Sequence, residues 1–208
     1  MNIPQPAKER LLQLMRMCEK LIQAGERGPL SSATAEQLTG LPRDTIRKDI
    51  SFFGGAGGSN SGYEPELLIP LIKKALGLDL RRNFCVVGLG RLGSACLNFA
   101  PAELGEFTLA AGFDSNVNRL EILKAEVPLY PAYKMPEVVG RFGIEIALLC
   151  VPVDAAQAAA EKCAAAGIRG ILNFAPTALR LPQGITARNV YVTDELRALA
   201  LKMEQGNS

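Results

Sequence analysis

The sequence predicts an α/β protein in which a helical N-terminal domain precedes a parallel-sheet domain, and three observations lead to that fold class. Before residue 80 apolar residues recur at helical spacing, whereas after Asn83 short β-rich runs alternate with helical stretches. A glycine-rich turn directly follows the first of those runs. The predicted domains are 1–80, 81–187 for the sheet, and 188–208 for a C-terminal strand and helix.

Composition sets the broad class and excludes several kinds of chemistry. The 208 residues are 48% hydrophobic and 21% charged, as in ordinary globular proteins, and a net charge of +2 permits a nucleic-acid partner without arguing for one. The chain has no histidine and its five cysteines form no C-x-x-C pair, so we expect no metal site. No apolar run reaches membrane-spanning length and MNIPQPAKER lacks a signal-peptide core, which predicts a cytoplasmic protein without a membrane partner.

The N-terminal elements predict a helix-turn-helix. Apolar residues at helical spacing predict a first helix from about Ala7 to Ala24. Ser31-Ser32 supplies an N-cap for the short helix ATAEQL, and Gly40 permits the tight turn before the helix PRDTIRKDISFF. Two short helices around such a turn, with polar residues facing outward from the second, are typical of DNA-reading modules.

The stretch from Gly54 to Gly62 is almost entirely glycine and serine, and two interpretations of it remain open. One is a flexible linker. The other is a hairpin wing, with Tyr63 opening the return strand, which would make the N-terminal domain a winged helix-turn-helix. The helix PELLIPLIKKALG follows in either case, with Pro65 at its start and Gly77 at its C-cap.

The later β-rich runs predict a sheet buried on both faces. They read NFCVVG, FTLAAGFD, IEIALLCVP and RGILNF, and continuous apolar strands that alternate with helices indicate a parallel sheet. After them TDELRALALKME predicts a terminal helix with a Thr193 cap and an apolar stripe of Leu196, Leu199, Ala200 and Met203.

The glycine-rich turn predicts a dinucleotide site in a Rossmann-type domain. Gly88-x-Gly90-x-x-Gly93 follows a strand and opens a helix, where free N–H groups and the helix dipole favour a pyrophosphate. Asp114 ends the second strand and would accept hydrogen bonds from ribose hydroxyls, which favours NAD(H) over NADP(H), although Arg91 and Arg119 would soften that preference. The predicted loop residues are Gly88, Leu89, Gly90, Arg91, Leu92 and Gly93.

Two further stretches lie at predicted carboxyl ends of strands, the edge that holds the ligand in a doubly wound sheet. In them Val151 and Pro152 would line the site, Asn173 would bond a carboxamide, and Phe174 would pack on a ring, although ordinary strand ends explain the same residues. No catalytic cluster follows the sheet, and little chain remains after about Thr186 for a substrate domain. A held cofactor without catalysis favours a sensor rather than an enzyme.

Several stretches together resemble the Rex family of redox-sensing transcriptional repressors. They are SSATAEQLTGLPRDTIRKDISFFG, GLGRLGSA, EIALLCVP, AGIRGILNFAP and DELRAL, and they span nearly the whole chain. The resemblance implies a homodimer with swapped terminal helices. It also implies binding to an inverted-repeat operator when NADH is low, and release when NADH binds.

The resemblance also implies which residues touch DNA. They are Ser31, Ser32, Arg43, Thr45, Arg47 and Lys48, with Arg47 and Lys48 on the recognition helix. One feature departs from the family: the wing position that usually carries a basic residue holds Ser59 and Asn60. Basic residues exceed acidic ones by only two over residues 1–53, so reduced or altered DNA affinity is expected.

A second departure concerns the cofactor-sensitive network that the family builds from an arginine, a tyrosine and an aspartate. Arg16 matches the arginine, but Phe99 and Tyr191 stand at the other two positions, with Asp194 nearby. The preference between NADH and NAD⁺ is therefore left open. Three alternatives also remain: a nucleotide-binding paralogue that no longer acts on DNA, a small NAD-dependent oxidoreductase, and a CoA-type ligand.

Overall fold

The computed structural model describes residues 3–26, 28–54, 58–59, 62–99 and 104–205. The chain divides into two compact units, Met1–Leu80 and Arg81–Ser208. The first is a winged helix-turn-helix and the second is a parallel sheet covered by helices, so the predicted α/β fold class is confirmed.

The N-terminal unit packs four helices around one apolar core. Leu11, Leu14, Ile46, Leu68 and Ile72 are at most 2% exposed and come from three different helices, so each helix buries one stripe and leaves its polar face to solvent. The elements are α1 (Gln5–Gln23), α2 (Ser32–Thr39), α3 (Arg43–Ser51), β1 (Gly58–Ser59), β2 (Gly62–Tyr63) and α4 (Pro65–Leu76).

Local residue chemistry sets the turn between α2 and α3. The Ser31 hydroxyl accepts a hydrogen bond from the Thr34 amide at 3.0 Å, which confirms the predicted cap. Gly40 ends α2 at φ 71°, a left-handed conformation that disfavours any side chain. The recognition helix is shorter than the predicted stretch 42–53, because Phe52 already bonds back to Asp49 in a tightened turn.

A buried ion pair ties α1 to α3. Asp49 is 3% exposed, and its two carboxylate oxygens accept hydrogen bonds from Arg10 Nε at 2.6 Å and Nη2 at 2.8 Å. This bidentate contact raises the pKa of Arg10 above its ordinary value. The aspartate in the RKD stretch therefore fixes the angle at which α3 presents its outer face.

The glycine-rich stretch after α3 folds back as a hairpin. β1 pairs with β2 in antiparallel fashion, and Tyr63 also exchanges two backbone hydrogen bonds with Leu30, at 2.6 and 2.8 Å. Gly62 sits at φ 124°, where a Cβ would lie 2.7 Å from the Leu30 carbonyl oxygen. Strand pairing on both sides of Tyr63 therefore favours the predicted wing over a linker.

The second unit is a doubly wound sheet of six parallel strands in the order β5-β4-β3-β6-β7-β8. Alternate residues of the central strand face opposite cores: Cys85 and Val87 pack in one cluster, whereas Phe84 and Val86 pack in the other. The elements are β3 (Arg82–Val87), α5 (Arg91–Cys96), β4 (Phe107–Asp114), α6 (Val117–Ile122), β5 (Leu129–Pro131), a 3₁₀ turn (Ala132–Lys134), α7 (Met135–Phe142), β6 (Ile144–Leu149), α8 (Val153–Ala165), β7 (Gly170–Asn173), β8 (Thr186–Asn189) and α9 (Val192–Gln205).

Strand order places the ligand crevice of this sheet. The chain leaves β3 toward β4 on one side and continues with β6 on the other, so the carboxyl ends of β3 and β6 flank the point where the order reverses. Open α/β sheets bind ligands at that point. β8 crosses residue 187, at which the sequence analysis ends the Rossmann domain.

The terminal helix α9 differs from the prediction in its start. The backbone amides of Asp194 and Glu195 both bond to the Tyr191 carbonyl, so α9 begins at Val192 and Thr193 lies inside its first turn. The predicted Thr193 cap is therefore wrong. Among the helices that the structure describes, we find none with the length and apolarity needed to span a membrane.

Candidate nucleotide site and nucleic-acid interface

The turn after β3 needs glycine at two positions for reasons internal to the protein. Gly88 sits at φ 89°, and a Cβ there would lie 2.5 Å from Val151 Cγ1 and 2.8 Å from the Cys150 carbonyl oxygen. A Cβ on Gly93 would lie only 1.8 Å from the Gly88 carbonyl oxygen. These two glycines let α5 start directly against the strand ends.

Gly90 is different, because no contact within the described part of the chain requires a glycine at this position. Its backbone is extended at φ −67° and ψ −161°, which any residue adopts, and an added Cβ would meet no atom within 4 Å. Gly90 also lines the cavity at the strand ends. A glycine there leaves room for a ligand to approach the backbone, as the dinucleotide motif requires.

Asp114 ends β4 and faces the same turn. Its side chain is 4% exposed, and it accepts hydrogen bonds from the amides of Leu89 and Asn116, each at 2.7 Å, and from Arg119 Nη1 at 2.8 Å. Burial alone would raise the pKa of Asp114, but the three donors outweigh it and lower the pKa below its ordinary value. The carboxylate is therefore ionised at neutral pH.

A cavity of about 300 Å³ lies at the carboxyl ends of β3, β4 and β6. Gly88 and Gly90 form its floor, Asp114 and Arg119 line one side, and residues after β6 and along α8 line the other. It is large enough for the adenosine part of a nucleotide. The lining residues are Val87, Gly88, Gly90, Phe113, Asp114, Ser115, Arg119, Ala132, Met135, Cys150, Val151, Pro152, Ala155, Ala158, Ala159 and Lys162.

The other predicted cofactor residues are divided by the structure. Val151 and Pro152 line the cavity as expected. Leu89 is 1% exposed, so only its backbone faces Asp114, while the side chains of Arg91 and Leu92 are exposed at the start of α5. In the middle of the loop from Gly88 to Gly93, backbone atoms rather than side chains therefore line the cavity.

Asn173 does not have the role that the sequence analysis assigned to it. Its side chain is fully buried, and Nδ2 donates to the Thr177 carbonyl and to Asn189 Oδ1 while Oδ1 accepts from the Ala175 amide. With these bonds made, the amide secures β7 to β8 and holds the turn after β7, and it has no donor left for a carboxamide. Phe174 beside it is half-buried against the apolar cluster behind β3.

The outer face of α3 carries charges of both signs. Arg43, Asp44, Arg47 and Lys48 are exposed, whereas Ile46 and Ile50 are buried. Arg47 and Asp44 lie 3.6 Å apart with side chains 60% and 86% exposed, which is a weak surface pair. The exposed cations fit the predicted DNA-reading face, and the carboxylate reduces its positive charge.

The remaining predicted DNA contacts are less exposed. Ser31 and Thr45 are half-buried, and the Ser31 hydroxyl already caps α2. Ser32 is 8% exposed, so the structure does not support a phosphate contact from its hydroxyl. Asn60 in the wing lies outside the described residues, and the interpretation of Ser59 and Asn60 stays a prediction.

Known proteins match this chain across both of its units. The chain is 34% identical over 207 residues to the redox-sensing transcriptional repressor Rex of Levilactobacillus brevis, covering 100% of this chain and 97% of that one. It is also 34% identical over 198 residues to Rex of Ligilactobacillus salivarius, covering 95% and 92%. This chain belongs to the Rex family.

Solved structures agree with this Rex assignment. RSP, a Rex-family repressor, has been determined in complex with β-NADH, and that chain matches at TM-score 0.83 and 30% identity over 100% of this chain and 97% of that one. RSP with β-NAD⁺ and operator DNA matches at TM-score 0.84 and 31% identity, over 100% and 95%. A family model described as a CoA binding domain matches residues 80–177. The curated relatives are named as repressors and not as enzymes.

The three residues that the family resemblance assigns to a cofactor-sensitive network are exposed or half-buried in the structure. Arg16 is exposed on α1 and lines a cavity of about 480 Å³ in the N-terminal unit, together with Met17, Lys20 and Leu38. Phe99 is 42% exposed and Tyr191 is half-buried beside the start of α9. Within the described residues, no group of three Cys, Asp or Glu side chains is placed to hold a metal.

One wall of the cavity was missed by sequence reasoning. Ala155, Ala158, Ala159 and Lys162 on α8 all line it, and their spacing of three, four and seven residues marks one helical face. The pattern in DAAQAAAEKC does not single out this face, because Ala156 and Ala160 place small residues on a second, buried face of α8 as well. Ser115 and Met135 carry no such signal either.

Cys150 provides a direct probe of this Rex cavity, since it is half-exposed whereas the other four cysteines are buried. Burial, together with the neighbouring Cys96, raises the pKa of Cys150 to about 12. Alkylation by iodoacetamide should therefore accelerate about tenfold per pH unit between pH 7 and 9.5, because only the thiolate reacts. NADH should slow it by covering the thiol.

Mass spectrometry of the alkylated peptide measures the rate, and Cys150→Ser should remove the early label. A rate that is flat from pH 7 to 9 would show that the thiol is already ionised. A rate unaffected by saturating NADH would place the nucleotide elsewhere.

Proposed function

We propose that this protein is a redox-sensing transcriptional repressor that binds an inverted-repeat operator as a homodimer and responds to the NADH/NAD⁺ ratio. The observation that carries the proposal is the full-length match, at about 30% identity, to RSP bound to β-NADH and to RSP bound to β-NAD⁺ and operator DNA. Both sites needed for that function are recognisable in this chain. It acts in the cytoplasm, where DNA and nicotinamide nucleotides meet.

The cavity at the strand ends holds NAD(H) in this proposal. The pyrophosphate lies against the turn from Gly88 to Gly90, where Gly90 leaves the backbone open and the first amides of α5 lack intrahelical partners. The adenosine lies between Asp114 and the small residues of α8. Val151 and Pro152 contact the cofactor from the β6 side.

The recognition helix α3 reads the operator through Arg47 and Lys48, with Arg43 on the phosphate backbone. The ion pair of Arg10 with Asp49 holds the orientation of α3 on α1. Because two copies of α3 must meet two half-sites, a change in their separation on nucleotide binding alters affinity without any change in the contacts of one helix.

Operator binding should depend on both basic residues of α3. We expect Arg47→Ala and Lys48→Ala each to weaken binding at least tenfold, and a lost phosphate contact to lower the salt slope by about 0.9 per contact. Fluorescence anisotropy on an inverted-repeat operator, over a salt series with NADH or NAD⁺ added, measures both effects. Lys74→Ala removes an exposed charge from α4 of the same unit and serves as the matched control.

Two outcomes decide between the proposal and its alternatives. The absence of operator binding at low salt would remove the repressor function and favour a nucleotide-binding paralogue, which the exposed Asp44 on α3 also favours. Operator binding that ignores both nucleotides would remove the sensor function.

The proposed homodimer forms through α9, because apolar side chains of this helix are exposed to solvent in the single chain. Val192, Leu196, Leu199 and Met203 form one stripe at helical spacing and are between 55% and 69% exposed, an arrangement that a monomer rarely keeps. In the proposed dimer the helix of each chain is swapped onto its partner, which buries this stripe.

Removing the apolar stripe should therefore separate the chains. We expect Leu196→Asp with Leu199→Asp to raise the dimer dissociation constant more than 1000-fold, since each buried leucine contributes about 1.5–3 kcal/mol. Analytical ultracentrifugation measures the mass, and Lys202→Asp on the same helix is the control for added negative charge. A monomeric wild type would contradict the assembly.

A further inference from the structure

The carboxylate expected to select NAD(H) is already largely occupied by the protein. Oδ2 of Asp114 accepts from the Leu89 amide and from Arg119 Nη1, and Oδ1 accepts from the Asn116 amide. Each carboxylate oxygen accepts about two hydrogen bonds, so a single acceptor position remains, on Oδ1. A bidentate contact with two neighbouring ribose hydroxyls needs a free acceptor position on each oxygen, and Oδ2 has none left.

Arg119 also changes the charge that a ligand meets. In an NAD-type site the acidic residue disfavours a phosphate on the ribose, but here a guanidinium lies 2.8 Å from that carboxylate. Among the described residues, the charged side chains that line the cavity are Asp114, Arg119 and Lys162, so cations outnumber anions two to one there. The repulsion that would exclude a ribose phosphate is therefore cancelled.

The position of Arg119 suits phosphate binding. Asn116 caps α6, its side-chain oxygen accepting from the Arg119 amide at 3.3 Å, so Arg119 is set in the first turn beside Asp114. A guanidinium has five N–H donors, of which Asp114 engages one, and the side chain is 42% exposed. Ser115, exposed on the same rim, offers a hydroxyl as a further donor.

We propose that this site accepts adenine nucleotides that carry a phosphomonoester on the adenosine ribose, with Arg119 binding that phosphate. The inference rests on the proposed nucleotide site and widens its ligand class. Two cellular nucleotides share the chemistry: NADP(H) carries the phosphate at the 2′ position and CoA carries it at the 3′ position.

Calorimetric titration of the full chain tests the proposal with 5′-AMP, adenosine 2′,5′-bisphosphate and adenosine 3′,5′-bisphosphate, and then with NADH, NADPH and CoA. We expect at least one bisphosphate to bind as tightly as 5′-AMP or tighter. Tighter binding of the 2′-phosphate selects NADP(H) as the natural source, and tighter binding of the 3′-phosphate selects CoA.

Variants then assign the phosphate to Arg119. Arg119→Ala should raise the ratio of the bisphosphate dissociation constant to the 5′-AMP dissociation constant at least tenfold. Arg119→Lys should raise this ratio less, because lysine keeps the positive charge. Arg169→Ala should leave the ratio unchanged, because Arg169 pairs with Glu145 at the amino ends of the strands, the edge of the sheet opposite the cavity.

The outcomes separate this inference from the proposed function. Binding of NADH and 5′-AMP with every ribose-phosphorylated nucleotide at least tenfold weaker would overturn the inference and leave the NAD(H) site standing. An equal loss of 5′-AMP and bisphosphate in Arg119→Ala would overturn the role of Arg119. Failure of all the nucleotides to bind the wild type would remove the proposed site and the inference together.

Discussion

Replacing Gly90 with valine should abolish most nucleotide binding while leaving the fold intact. A Cβ at residue 90 would meet no atom of the described residues within 4 Å and the backbone there is extended, so the fold should tolerate a side chain at this position. A ligand phosphate that approaches this backbone would instead collide with it. We expect NADH affinity to fall more than 100-fold, about 2.7 kcal/mol, with little change in melting temperature.

Gly93→Ala is the informative control for this prediction. Its Cβ would lie 1.8 Å from the Gly88 carbonyl oxygen, so the substitution should destabilise the sheet unit itself. Calorimetry with NADH and a thermal melt on each variant distinguish a blocked site from a damaged fold. Wild-type NADH affinity in Gly90→Val would show that no phosphate lies near residue 90.

The second large effect concerns the stability of the DNA-reading unit. Arg10→Met should destabilise it by about 3–5 kcal/mol, because the Asp49 carboxylate stays 4% exposed without its counter-charge. Asp49→Asn should cost less, since the Arg10 side chain is 30% exposed and water can solvate its charge. Urea denaturation of the full chain, followed by circular dichroism, measures the order of the two variants.

The double variant Arg10→Met with Asp49→Leu tests whether the loss of stability in Arg10→Met comes from the unpaired, buried carboxylate of Asp49. Removing both partners should restore much of the stability lost in Arg10→Met, because no buried charge is left without a partner. Equal destabilisation by Arg10→Met and the double variant would instead assign the loss to packing. Operator affinity should fall with the single variant, since α3 then loses its fixed angle on α1.

The resemblance to Rex assigns three positions of this chain to a cofactor-sensitive network, and two of them depart from the residues that the family is expected to carry. Arg16 is retained, but Phe99 keeps the ring of a tyrosine without its hydroxyl, and Tyr191 replaces an acidic residue. The preference of this chain between reduced and oxidised cofactor therefore stays open. The nucleotide series in the operator experiment is therefore the measurement that reveals the direction of the response.

Much of the candidate nucleotide site was predictable because its residues lie at fixed, short spacings along the sequence. Gly88, Gly93 and Asp114 occupy spacings that a strand, a tight turn and a helix impose on any chain, and the structure shows the close contacts that require both glycines. The strand runs were predictable for the same reason, since continuous apolar residues are buried on both faces. β5 escaped prediction because three residues ending in Pro131 carry too short a pattern.

The roles of other residues could not be predicted, because they depend on contacts with elements that are distant in sequence. Asn173 lies at a strand end, as the ligand residues of such sheets do, but β8 and the turn after β7 use all its donors. Ser32 and Asp49 look like surface residues of a helix-turn-helix, yet both are buried, and Asp49 pairs with Arg10 of α1. Such roles depend on partners up to 39 residues away, which no local pattern encodes.

The sequence by itself determined the fold class, the glycine turn, the acidic residue at the end of β4 and the exposed basic pair on α3, because each follows from short-range periodicity or spacing. Only the tertiary structure decided that Arg119 neutralises Asp114, that α8 supplies the small-residue wall, and that Arg10 anchors the recognition helix. The physical reason is that charge pairing and cavity shape depend on through-space distances, and packing sets those distances after the local elements have formed.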